Sequence, residues 1–142
     1  MVGAARRFKT ADIAQQVVGG FLLAGPFVVT AEVWQLAASM SLLQGVVTVA
    51  IVFAIGYGAL YKAEDRDPDR ERDVWGVPVR FVSLMAVAFG SVLVLALAFD
   101  APATFLADFE VPPEQHVLVT AKAVSVGAIF SVVGAATADS VF

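Results

Sequence analysis

The chain has 142 residues, 59% of them hydrophobic, and a mean hydropathy of +0.82. Soluble domains carry about 45–50% apolar residues, so an ordinary water-soluble fold is excluded, and the length suits one membrane domain of about four spans. No cysteine and one histidine exclude disulfide scaffolds, thiol redox chemistry, iron–sulfur clusters, thiolate metal sites and bis-histidine haem, while a net charge of -4 argues against nucleic acid as a partner and suits the acidic proteome of a high-salt cytoplasm.

A basic arm containing Arg6, Arg7 and Lys9 comes first. The apolar run after it is too long for a signal peptide and has no separate small-x-small cleavage site, so an uncleaved first span is expected. Asp12 can cap that helix or sit among headgroups. Span one is predicted over residues 13–38, bent at Gly25 and Pro26, because proline removes a donor and leaves the carbonyl near Leu22 open. Trp34 is expected in the outer aromatic belt. Span two, residues 42–61, returns after a very short turn as the second arm of an antiparallel hairpin.

Residues 62–73 carry four bases and six acids around Pro68. The pattern predicts a solvated loop, residues 62–76 in all, with docking of a protein partner as its less expected use. Span three is predicted over 77–99, entered through Trp75, Pro78 and Arg80. The loop 100–114 is acidic, and His116 just after it reads as a surface residue. Span four, 115–138, is followed by Asp139, which is expected to face water. Eight of the nine Lys and Arg fall in the arm, the 62–73 loop and the start of span three, which predicts a cell-membrane protein with both termini cytoplasmic.

The candidate polar site is Glu32 with Lys122. A carboxylate inside a span costs at least about 2.5 kcal/mol on insertion scales, so it needs a partner. Counted from the outer ends of spans one and four, Glu32 and Lys122 both lie about 9 Å deep at 1.5 Å per residue. Gln35 shares the Glu32 face and Ser125 the Lys122 face. Against an ion pair with a role in transport stand two plainer readings: the pair only fixes helix register, or Lys122 snorkels to the outer headgroups. Ala123, Gly127, Ser131 and Ala135 form a small-residue ladder that signals close helix packing, with Gly20-xxx-Ala24 and Ala86-xxx-Gly90 as candidate counterparts within the chain or across copies.

The Gly-Pro pair, the run Thr-Ala-Glu32-Val-Trp34, the later Lys122-x-Val-Ser-Val-Gly-Ala and the terminal Ala-Asp139-Ser resemble the integral membrane proteins of domain-of-unknown-function family 2391. The resemblance covers about residues 13–141. It implies a multi-span helical protein and marks Glu32, Trp34, Lys122 and Asp139 as motif positions, without implying an activity. Small multidrug-type antiporters are similar in architecture only. They also place a carboxylate in the first of four short spans, but the charge asymmetry, the polar loop and Lys122 set this chain apart.

The sequence thus predicts an all-α polytopic bundle of four transmembrane helices in contact with the lipid bilayer, assembled as a homo-oligomer. Two functions are expected of such a chain. One is a small channel or transporter for an ion or small solute using Glu32. The other is a non-transporting scaffold or accessory subunit whose Glu32–Lys122 pair and ladder serve assembly. No nucleophile–base pair, metal cluster, cofactor motif or phosphate loop is present, so enzymatic activity is not expected.

Overall fold

The structure is a computed structural model and describes residues 9–63, 73–74 and 76–141. Six helices follow one another: α1 Thr10–Val28, α2 Ala31–Ser39, α3 Leu42–Tyr57, α4 Val79–Ala98, α5 Ala101–Asp108 and α6 His116–Val141. A π-helical turn, Gly58–Ala63, prolongs α3, and a 3-10 turn, Pro113–Gln115, leads into α6. Before α4 two short strands, β1 Asp73–Val74 and β2 Val77–Pro78, pair antiparallel. Gly76 between them sits at φ +83, a region that side chains with a Cβ resist.

Four stretches are long and apolar enough to cross a membrane: Thr10–Val28, Leu42–Tyr61, Val79–Ala98 and Pro113–Asp139. The four-helix membrane bundle expected from the sequence is the fold observed. The start of α1 and the end of α6 lie at one end of it, which we call basal; α2 and α5 cover the other, distal end.

The first span departs from expectation. Pro26 lies inside α1, yet the helix continues to Val28 and breaks at Val29 and Thr30. Proline has already removed one backbone bond, and the β-branched run Val28-Val29-Thr30 then gives the helix little reason to continue. Thr30 donates its hydroxyl to the Phe27 carbonyl at 2.9 Å, and the Trp34 indole donates to the Val28 carbonyl at 2.9 Å. Two carbonyls opened by the break are thereby satisfied. Trp34 is fully buried, with its ring 6.0 Å from that of Phe105 on α5. It is therefore a core residue that locks the break, not a member of an aromatic belt.

α6 runs through the centre of the bundle. It crosses α1 at Gly19 and Gly134, so closely that a methyl group on either glycine would overlap the carbonyl oxygen of the other. One turn away on α6, the Ser131 hydroxyl donates to the Gly20 carbonyl at 3.1 Å. A methyl on Gly127 would run into Val92 of α4, and Ala123 and Ala135 are buried. The ladder on span four therefore packs within the chain, with Gly20 and Ala24 as its counterpart on α1. Ala86 is exposed and Gly90 has open space beside it, so that pair takes no part in the packing. α3 is the edge helix. Of its most apolar 18-residue stretch only 17% is buried, against 56% for α6.

Two apolar clusters fill the bundle. The distal one joins α1, α2, α4, α5 and α6 around Val28, Trp34, Val92 and Leu106. The other joins α3, α4 and α6 around Val52, Leu84 and Val132. The connections at either end of α5 use left-handed residues, Asp100 at φ 56 and Glu110 at φ 54, which turn the chain sharply across the distal end.

Candidate functional site

Glu32 and Lys122 are not brought together. Glu32 is exposed in the first turn of α2, where a carboxylate complements the positive end of the helix dipole. α1 alone has 19 residues, about 28 Å at 1.5 Å per residue, nearly the ~30 Å of hydrocarbon a span must cross. The break at Val29 and Thr30 thus sets Glu32 in a separate short helix, after the stretch that is long and apolar enough to cross a membrane. The depth count from Ala38 fails because it assumes one continuous helix.

Lys122 is buried, and its ammonium donates to the Met40 carbonyl at 2.6 Å. Met40 is the C-terminal cap of α2, so a cation meets the negative end of that short helix. The corner between α2 and α3 is thereby pinned onto α6, beside Gly45. Gln35 is exposed. The Ser125 hydroxyl donates to the Ala121 carbonyl of its own helix at 2.8 Å. The four polar residues singled out in the sequence are thus dispersed over the distal half instead of forming one site.

A denser polar site lies at the basal end. Nη1 of Arg80, in the first turn of α4, is 2.8 Å from each carboxylate oxygen of Asp139 near the end of α6. Its Nη2 lies 3.5 Å from Oδ2 of Asp12 in the first turn of α1. Gln16, one turn further along α1, donates to Asp139 at 3.2 Å and accepts from the Ser83 hydroxyl at 2.7 Å. Asp12 also accepts the backbone N–H of Lys9 at 2.8 Å, so it caps its own helix as well. Asp12, Gln16, Arg80 and Asp139 are all buried. Asp139 does not face water as expected; it is the hub at which three helix ends meet.

Each of these residues stands within one or two turns of a span end, where a charge in sequence reads as a headgroup or solvent contact. The signal that could have found them is the coincidence of a lone acid in the first turn of span one, a lone base in the first turn of span three and a lone acid in the last turn of span four, all at one level of an up-and-down bundle. No group of three or more His, Asp or Glu suited to a metal occurs among the described residues. The docking expectation for residues 62–73 falls almost entirely on residues outside those described.

The model of an integral membrane protein family, domain of unknown function 2391, matches residues 4–139. No curated protein and no solved structure matches the chain.

Proposed function

From the premise that this chain belongs to domain-of-unknown-function family 2391, a family of integral membrane proteins, we propose that it works as a non-transporting scaffold or accessory subunit in the cell membrane. The observation that carries this reading is that the buried charged side chains among the described residues, Asp12, Arg80, Lys122 and Asp139, all engage other helices or helix ends. A conduction path needs polar groups that can exchange partners along a route through the bilayer. Here the levels between the basal ion cluster and Lys122 are packed mainly with Val, Ala, Leu and Phe, and the buried serines there, Ser91, Ser125 and Ser131, each donate to a backbone carbonyl. Among the described residues that engagement leaves none of these four buried charges poised as a nucleophile or general base, which favours a non-enzymatic role.

Assembly into a homo-oligomer is part of the proposal and is supported by α3. The face it turns away from the bundle carries Ala50, Ala54 and Gly58 at four-residue spacing, and Gly58 has open space beside it. Small residues of this kind allow close helix approach. Eight of the nine Lys and Arg precede α1, fall between α3 and α4 or open α4 in the sequence, which supports a cytoplasmic placement of the basal end.

Flux of protons, Na+ and K+ into proteoliposomes, run beside empty vesicles, tests the central reading. No flux above the empty control is expected, and a clear excess would return the protein to the transporters. Because the chain has no cysteine, an Ala54→Cys variant reports copy–copy contact without background. A disulfide-linked dimer in native membranes is expected, and none forming at any oxidant level would remove the oligomer.

A further inference from the structure

We infer that the distal half of the protein holds a lateral site for a lipophilic cation, in the groove between α4 and α6. The groove has a volume of about 490 Å³, within the range of small-molecule sites, about 300–1,000 Å³. Phe89, Leu93 and Leu97 form one wall at four-residue spacing, over about 12 Å of helix, and Val117, Ala121 and Val124 form the other. It opens sideways, between two spans, towards the apolar phase.

The polar side chains on its walls are His116, Thr120 and Ser125. His116 lines the groove and uses Nε2 on the Val111 carbonyl at 2.8 Å. A carbonyl can only accept, so Nε2 donates to it. Ser125 is also on the wall; its hydroxyl hydrogen is engaged by Ala121, which leaves the oxygen as an acceptor.

The charge of the surrounding surface has the same sign. Asp100 lies two residues from Pro102 and Glu114 two residues from His116, both of which line the groove. With Glu32, Asp108 and Glu110 they make five exposed carboxylates at the distal end. Among the described residues Lys122 is the lone Lys or Arg of this half, and it is buried on the Met40 carbonyl. An apolar slot beneath a surface of one sign concentrates an amphiphile of the opposite sign. A cation with a compact apolar body satisfies both the walls and the mouth. A neutral or anionic chain satisfies the walls alone. The site binds from the bilayer side and requires no passage through the bundle, so it stands or falls apart from the scaffold reading.

The probe is tetraphenylphosphonium, with tetraphenylborate as a control of the same shape and opposite charge. Binding to the full chain in zwitterionic nanodiscs is read by flow dialysis against protein-free discs. Saturable binding of the cation and none of the anion is expected. Ala121→Trp, at an exposed position on the groove wall, should abolish it with the unfolding midpoint unchanged, and Leu93→Trp should do the same from the opposite wall. An Asp100→Asn, Glu114→Gln double variant should weaken binding about two- to tenfold at low salt and less at high salt. Equal binding of cation and anion, or cation binding that survives both tryptophan substitutions in folded protein, would overturn the inference and leave the groove to ordinary lipid chains.

Discussion

The two ends of the bundle handle buried charge in different ways. At the basal end, two carboxylates and a guanidinium from three helices interlock, with Gln16 and Ser83 completing the network. At the distal end a single ammonium meets a single backbone carbonyl, and the acids lie outside in water. The basal arrangement fixes the relative height of α1, α4 and α6, because no member can move without leaving a charge unpaired. The distal arrangement fixes only a corner, and the apolar cluster around Trp34 holds the rest. Stability against loss of a charge should therefore be strongly asymmetric along the molecule.

The largest expected effect is at Arg80. Arg80→Met leaves Asp12 and Asp139 buried together without their cation, and removing one partner of a buried pair costs about 3–5 kcal/mol. A large fall in the unfolding midpoint in detergent checks this. The triple change Arg80→Met, Asp12→Asn, Asp139→Asn removes both described carboxylates with their cation and should regain much of the loss. A single Arg80→Met variant as stable as the wild type would end the view of this cluster as a clamp.

Next comes the helix crossing just above the cluster. Gly134→Ala forces a methyl against the Gly19 carbonyl, and overpacking of this kind costs about 1–3 kcal/mol. Gly90→Ala is the matched control. It adds the same atom in open space on α4 and should be neutral or gain up to about 1 kcal/mol from helix propensity. Opposite signs for the two substitutions, measured by the same unfolding assay, would separate packing at the crossing from propensity.

The sequence revealed the spans well because four apolar stretches of sufficient length are a one-dimensional signal. The ladder on span four was equally legible, since four-residue spacing is set by the helix itself. Three features were not. The break at Val29 and Thr30 depends on Thr30 and Trp34 finding carbonyls, and one proline in a long apolar run does not say where the helix will end. Asp12, Arg80 and Asp139 come together only through the tertiary arrangement, across separations of 59 residues and more. Lys122 looked like a counter-charge because Glu32 was the nearest acid at the same counted depth, whereas its partner is a backbone carbonyl, which carries no mark in the sequence.

Lys122→Met should have a smaller effect than either basal change. It removes a charge-assisted hydrogen bond to Met40, worth about 1.5–3 kcal/mol, but also relieves the desolvation of a buried ammonium and leaves an apolar stem of similar length. The net loss should be at most about 1 kcal/mol, confined to the corner between α2 and α3. Faster hydrogen exchange of the backbone amides around residues 40–45, with those of α1 and α4 unchanged, would locate it there. A collapse comparable to that of Arg80→Met would erase the contrast between the two ends.

The smallest effect, and the one that most sharpens the contrast, is expected at Glu32. If Glu32 were the intramembrane partner of Lys122, Glu32→Gln would strand an ammonium in the bilayer and the protein would lose stability as severely as at the basal cluster. If it were a conduction site, folding would persist while flux changed. On the geometry observed it is an exposed acid in the first turn of α2, and Lys122 already has its acceptor. Its loss should cost about 0.3–0.5 kcal/mol, the lower part of the range for a helix dipole acting on a first-turn acid. That small loss should shrink further in high salt, since the interaction is exposed and screened. A near-neutral Glu32→Gln beside a crippled Arg80→Met would move the charge chemistry of this fold from the first-span motif, where the sequence advertises it, to the basal ends of α1, α4 and α6.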